Sequence, residues 1–302
     1  MKAGPLDPQA AALFAAGAAA GRQPVEALSV ADARAGYAAG RDTVQLSRIA
    51  VAQVEDITLG GRPARRYRPN APEPGTILFL HGGGWVIGDL ETHDGICRHL
   101  AVAARVEVIA LDYRLAPEHR FPAAFDDALA AALAIGETAG RFAIAGDSAG
   151  AALAMAGAVA LRDRGARLPA ALALFYPVAD IAAEAASYAE VTGVPLTAAT
   201  MRWFWNHYAP VMADRQHWSA SPLRAESLAG LPPVFVTIAG HDPLRDEGLA
   251  LADRLAREGV TVERRHLPGQ AHGYLTLGRV IDEAGLSLTA AGAFLNRQLA
   301  AA

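Results

Sequence analysis

Six short apolar runs set the rhythm of this chain: Thr76–Leu80, Val106–Leu111, Phe142–Ala145, Ala171–Phe175, Val234–Ala239 and Val260–His266. Helix-length stretches separate most of them, at Thr92–Ala104, Pro122–Ala139, Ala149–Arg164 and Asp246–Glu258. A strand that is apolar along its whole length has both faces covered, and strands alternating with helices pair in parallel. Ahead of these runs, Val51–Leu59 and Pro63–Arg68 flank Gly60-Gly61, the pattern of a β-hairpin. Hairpin and runs together predict one large α/β unit with an eight-stranded, mostly parallel sheet and helices on both faces. Of the 302 residues, 52% are hydrophobic, enough to fill such a core.

Two segments stand outside that rhythm. Residues 8–45 read as helical, with a break at Gly21–Pro24. Residues 182–216 separate the fourth of the six runs from the fifth, and contain Met201, Trp203, Phe204, Trp205 and Tyr208. An aromatic-rich insertion between strands is a candidate cap over a site at their C-terminal ends. The plainer reading is an amphipathic helix packed on the sheet.

A net charge of −4 without any basic run argues against a nucleic-acid or anionic-membrane partner. The single cysteine, Cys97, excludes an intramolecular disulfide framework. The Ala10–Ala20 stretch resembles the apolar part of a signal peptide, but Pro5, Asp7 and Pro8 stand where a basic region belongs. No apolar run approaches the roughly 18 residues of a membrane span. A cytoplasmic location is expected.

Three loops carry chemistry. Gly146-Asp147-Ser148-Ala149-Gly150 follows one apolar run and opens a small-residue helix, the strand–turn–helix setting of a nucleophile elbow at Ser148. Side chains at 146 and 150 would clash with neighbours in so tight a turn, hence the glycines. His81-Gly82-Gly83-Gly84-Trp85 directly follows Thr76–Leu80. Attack on a carbonyl builds an oxyanion, which needs donors already aimed at it. Backbone N–H groups of Gly83, Gly84 and Ala149 are the candidates, with His81 a structural group in the loop. An elbow of this kind is followed in sequence by an acid and then a histidine. Asp242 opens Asp242-Pro243-Leu244-Arg245-Asp246-Glu247 just after a run, and His272 sits in a loop after the last one. Asp246 is the rival acid, read instead as a helix-start residue. Zinc motifs, paired CxxC, phosphate-binding loops and dinucleotide fingerprints are all missing from the sequence.

Taken together, HGGGW, DYRLAPEHRFPAAFDD (Asp112 to Asp127), GDSAG, DPLRDEG (Asp242 to Gly248) and HGY (His272 to Tyr274) resemble the bacterial hormone-sensitive-lipase-like carboxylesterases of the α/β-hydrolase superfamily. The order agrees, as do spacings of 94 (242 − 148) and 30 (272 − 242) residues. The resemblance covers nearly the whole chain. It implies a triad of Ser148, Asp242 and His272 and an oxyanion hole at Gly83, Gly84 and Ala149. It also implies supporting acids at Asp147 and Glu118, the latter paired with Arg114. Tyr274 stands where the family usually has Phe, and Arg120 where Pro is commoner. Residues 1–45 become N-terminal cap helices, 46–181 the first part of the core, 182–216 the cap insertion and 217–302 the second part. The implied activity is hydrolysis of short- to medium-chain esters, small molecules, with no cofactor or metal and frequently a homodimer. Trp85, Met201 and Trp205 are the expected substrate-binding side chains, with Phe204 and Tyr208 on the opposite, packing face of their helix. An amidase or arylformamidase, or an acyltransferase, would use the same triad. A small-molecule receptor on this fold would have lost the triad histidine, which is present here.

Overall fold

The computed structural model describes residues 3–301. Its sheet has eight strands: β1 (Gln53–Leu59), β2 (Arg62–Arg68), β3 (Thr76–Leu80), β4 (Glu107–Leu111), β5 (Phe142–Asp147), β6 (Leu172–Phe175), β7 (Val234–His241) and β8 (Val262–Ala271). They lie in the order β1-β2-β4-β3-β5-β6-β7-β8. Strands β1, β2 and β4 pair antiparallel, and every other neighbour pairs in parallel. Gly60 and Gly61 both take positive φ at the hairpin, as its two-residue turn requires.

Alternation along the buried strands divides the core in two. Leu78, Leu80, Ile144, Leu172, Leu174 and Val236 point to the face covered by α4 (Ala123–Thr138), α5 (Ala149–Asp163) and α9 (Arg245–Arg257). Ile77, Phe79, Ala143, Ala145, Phe175 and Phe235 point to the face covered by α3 (Asp94–Ala104) and α10 (Glu283–Ala300). Cys97 is buried among the second group, and burial pushes its thiol well above the usual range, so it packs as a small apolar side chain.

The last strand runs five residues past its expected end, through Leu267 to Ala271. Pro268 and Gly269 look like a loop in sequence. They are tolerated because β8 is an edge strand, where a missing N–H costs no ladder bond. The N-terminal segment covers part of that edge: Gly4 and Asp7 donate to the carbonyls of Pro268 and Gly269. After it come α1 (Pro8–Ala19) and α2 (Val30–Ala39); the break between them begins as expected near Gly21–Pro24 and includes a single 3₁₀ turn at Val25–Ala27. The 182–216 insertion folds as α6 (Ser187–Glu190), α7 (Ala198–Tyr208) and α8 (Met212–Gln216). Among the described residues, no helix is long and apolar enough to cross a membrane.

Candidate active site

Strand β5 ends on Asp147, and Ser148 turns the chain into α5 with φ +53° and ψ −118°. That strained conformation lifts the hydroxyl off the turn and leaves the helix N-terminus behind it. A Cβ at Gly150 would run into the carbonyl of Leu80, so the turn admits only glycine there. Two other strand ends meet Ser148. Asp242 follows β7 and is 1% exposed; His272 follows β8. His272 Nε2 lies 2.9 Å from Ser148 Oγ, and its Nδ1 lies 2.7 Å from Asp242 Oδ2. The other Asp242 oxygen accepts the Leu244 N–H at 2.8 Å, which fixes the carboxylate.

A family model described as alpha/beta hydrolase fold matches residues 77–276. The chain belongs to that family. This hydrolase is 40% identical to an ethyl acetate hydrolase of Pseudomonas putida, over 76% of its own length and 78% of the relative's. It is 37% identical to a carboxylesterase of Mycobacterium tuberculosis, over 78% of each chain. It superposes on the crystal structure of a thermostable esterase from Pseudomonas putida with a TM-score of 0.94, at 32% identity and over the whole of both chains.

The loop after β3 lies beside the serine. Gly83 and Gly84 take φ of +120° and +58°, and a Cβ at Gly84 would strike the ring of Phe204. Among the described residues no acceptor takes the N–H of Gly83, Gly84 or Ala149. Asp147 anchors the loop by accepting the Gly82 N–H at 2.8 Å. Burial works against the Asp147 carboxylate, but His93, the Gly82 N–H and His81 together hold its pKa below the usual range. His93 Nε2 approaches it to 3.3 Å. His81 turns away from the serine: its Nδ1 meets the Gly82 carbonyl at 2.8 Å and its ring stacks on Tyr113. Burial pushes His81 down to about 4.

Gly83, Gly84, Ser148 and His272 open into a cavity of about 630 Å³. Its far walls come from both segments outside the strand–helix rhythm. Leu13, Phe14 and Leu28 contribute from the N-terminal side, Val194 and Leu196 from the insertion. The lining is predominantly apolar, suited to a hydrophobic ester arm.

Several expectations need correction. Met201 lines the cavity, but Trp85 and Trp205 do not. Trp85 is 1% exposed and stacks on Tyr208 at 4.3 Å. Trp205 packs on Tyr188 at 5.6 Å, under the Arg215 guanidinium. Phe204 takes the lining position instead, three residues from Met201 and so on the same side of α7. Arg114 pairs with Asp127 at 2.7 Å, and Glu118 pairs with Arg34 of α2 at 2.8 Å. Arg34 also donates to the carbonyls of Val86 and Ala116, clamping the N-terminal helix to the HGGGW loop. Tyr274 hydrogen-bonds Thr237 and Ser287 inside the core, which explains why a hydroxyl is tolerated there. Sequence reading missed Tyr37, Thr200 and the 193–197 segment, which all line the cavity; none carries a motif.

Proposed function

We propose that this carboxylic ester hydrolase cleaves short- to medium-chain esters through an acyl-enzyme on Ser148. The unbroken relay from Asp242 through His272 to the Ser148 hydroxyl, opening into an apolar cavity, carries the proposal. Asp242 holds the Nδ1–H tautomer of His272, leaving Nε2 free to accept the serine proton. Ser148 Oγ then attacks the ester carbonyl. The developing oxyanion is met by the N–H groups of Gly83, Gly84 and Ala149, donors that need no reorganisation. His272 returns the proton to the leaving alcohol. Water enters, loses a proton to His272 and releases the acid by the same steps in reverse.

The cavity volume supports the chain-length range, because it exceeds what an acetyl group fills and both helical segments contribute to its wall. Residues 1–45 and 182–216 act here as one cap. A series of p-nitrophenyl esters from acetate to laurate, run beside a matching amide and with an added alcohol acceptor, tests the reading. The expected result is hydrolysis that peaks at short to medium chains and far slower amide cleavage. Faster cleavage of the amide, or transfer to the alcohol in place of hydrolysis, would overturn it.

A further inference from the structure

Past Asp242, the chain enters α9, and the first three residues of that helix all reach into the cap insertion. Asp246 Oδ2 accepts the Ser187 N–H at 2.9 Å. Glu247 Oε2 accepts the Tyr188 hydroxyl at 3.1 Å. Arg245 Nη2 donates to Glu190 Oε2 at 2.6 Å. From the same loop, the Pro243 carbonyl accepts the Ser187 hydroxyl. Arg245, Glu247, Ser187 and Tyr188 are at most 5% exposed. Their target, α6, is a single turn of four residues with no side-chain cap of its own. A helix so short has no independent stability, so these contacts decide where it sits. The second Glu247 oxygen accepts the Ala179 N–H at 2.8 Å, tying the loop after β6 into the same knot.

What α6 holds is the cavity wall. Three residues beyond it, Gly193 to Thr197 line the cavity, and Thr197 then caps α7, which brings in Met201 and Phe204. Tyr188 additionally packs against Trp205 on α7. The carboxylate that the sequence leaves as a rival acid is thus occupied elsewhere, by Ser187 and by Arg245 at 2.7 Å.

We propose that Asp246 and Glu247 are specificity-determining positioning residues: through α6 they hold the 193–197 wall, and thereby set the length of ester arm that reaches Ser148. The proposal rests on the esterase reading above. It separates two tasks within one loop, Asp242 serving the proton relay and its neighbours serving substrate fit.

Three variants test it. Tyr188→Phe deletes one hydroxyl and keeps the ring on Trp205. Asp246→Ala deletes the acceptor for α6. Glu247→Gln keeps an oxygen for the Ala179 N–H and places an amide N–H that can donate to the Tyr188 hydroxyl, so it should preserve the latch. kcat and KM are measured across the ester series, with the acid limb of the pH profile. For Tyr188→Phe and Asp246→Ala, KM on medium-chain esters should change about tenfold relative to KM on acetate, the scale of one lost hydrogen bond. kcat on acetate should stay within about twofold, with the acid limb unmoved and Glu247→Gln near wild type. In Tyr188→Phe or Asp246→Ala, equal losses at every chain length, a shifted acid limb, or an unchanged chain-length profile would each overturn the latch, as would a Glu247→Gln profile as altered as theirs. If Asp246→Ala does not fold, Tyr188→Phe decides alone. A wild-type protein without ester turnover overturns the esterase reading and this proposal together; an active wild type whose Tyr188→Phe and Asp246→Ala variants keep its profile overturns the latch only.

Discussion

Ser148 and Phe204 border the same cavity, but they are held in place differently. Ser148 sits at the end of β5, between two parallel neighbours and with glycines on either side. Phe204 sits on a helix in the middle of an insertion that joins no strand pairing. The sheet side is fixed by backbone hydrogen bonds that any sequence of the right pattern would make. The cap side is fixed by particular side chains: Arg34 on Glu118, Tyr188 on Glu247, Trp85 on Tyr208. Chemistry is placed where the structure cannot shift, and selectivity where a few side-chain changes can reshape it.

The sharpest test of that division is Ser148→Ala. It should lower kcat by on the order of 10⁶ while the melting temperature holds, because only a hydroxyl is removed. Covalent labelling by an organophosphate should disappear in the same variant. A variant keeping a tenth of the activity would place the nucleophile elsewhere. Asp242→Asn comes next, with an expected loss of about 10⁴ in kcat from the wrong His272 tautomer. Equal sensitivity of Asp246→Asn on acetate would erase the distinction between the relay and its neighbours.

Stability supplies the third test, on the sheet side. His81 has a folded-state pKa of about 4 against 6.5 in the unfolded chain. Above pH 6.5 it is neutral in both states and contributes nothing to the slope. As pH falls from 6.5 to 4 the unfolded chain takes up the proton first, so stability drops, by on the order of 3 kcal/mol for a fully buried imidazole. Urea midpoints between pH 7 and 4 should show this loss, and His81→Gln should flatten it. Phe204→Leu, on the cap side, should leave the slope untouched.

The smallest effect is expected from Phe204→Leu itself. Trimming the ring over Gly84 should move the ratio of kcat/KM for long and short esters by about tenfold or less, in favour of the longer. An unchanged ratio would mean that Phe204 packs against the oxyanion loop without touching substrate.

The two sides also differ in what the sequence displays. Strand positions, the Ser148 elbow, the glycine loop and the order of Asp242 and His272 are local patterns, each within a few residues of a strand end. The substrate wall is not local. Trp203, Phe204 and Trp205 occupy successive positions of one helix, and nothing in that run says which faces the cavity; the answer depends on Tyr188 and Arg215, which occupy Trp205. The partners of Arg34 and Arg114 were equally hidden, because each arginine has several acids within reach along the chain. The extra length of β8 pairs with the end of β7, and Gly4 and Asp7, at the other end of the sequence, donate to its carbonyls.

That last contact bears on how the protein is made. Gln9 donates to Asp282 across 273 residues, and Gly4 waits for Pro268. At about 5–20 residues per second, the ribosome needs roughly 15 to 55 s to supply the partner of α1 once α1 has emerged. Through that interval the first helix has no cavity to line and no strand edge to cover. Its composition suits the wait: alanine dominates and only Leu13 and Phe14 are large and apolar, so little sticky surface is offered to chaperones or to neighbouring chains. The cavity therefore acquires its N-terminal wall only once residues 268–282 are available to hold it.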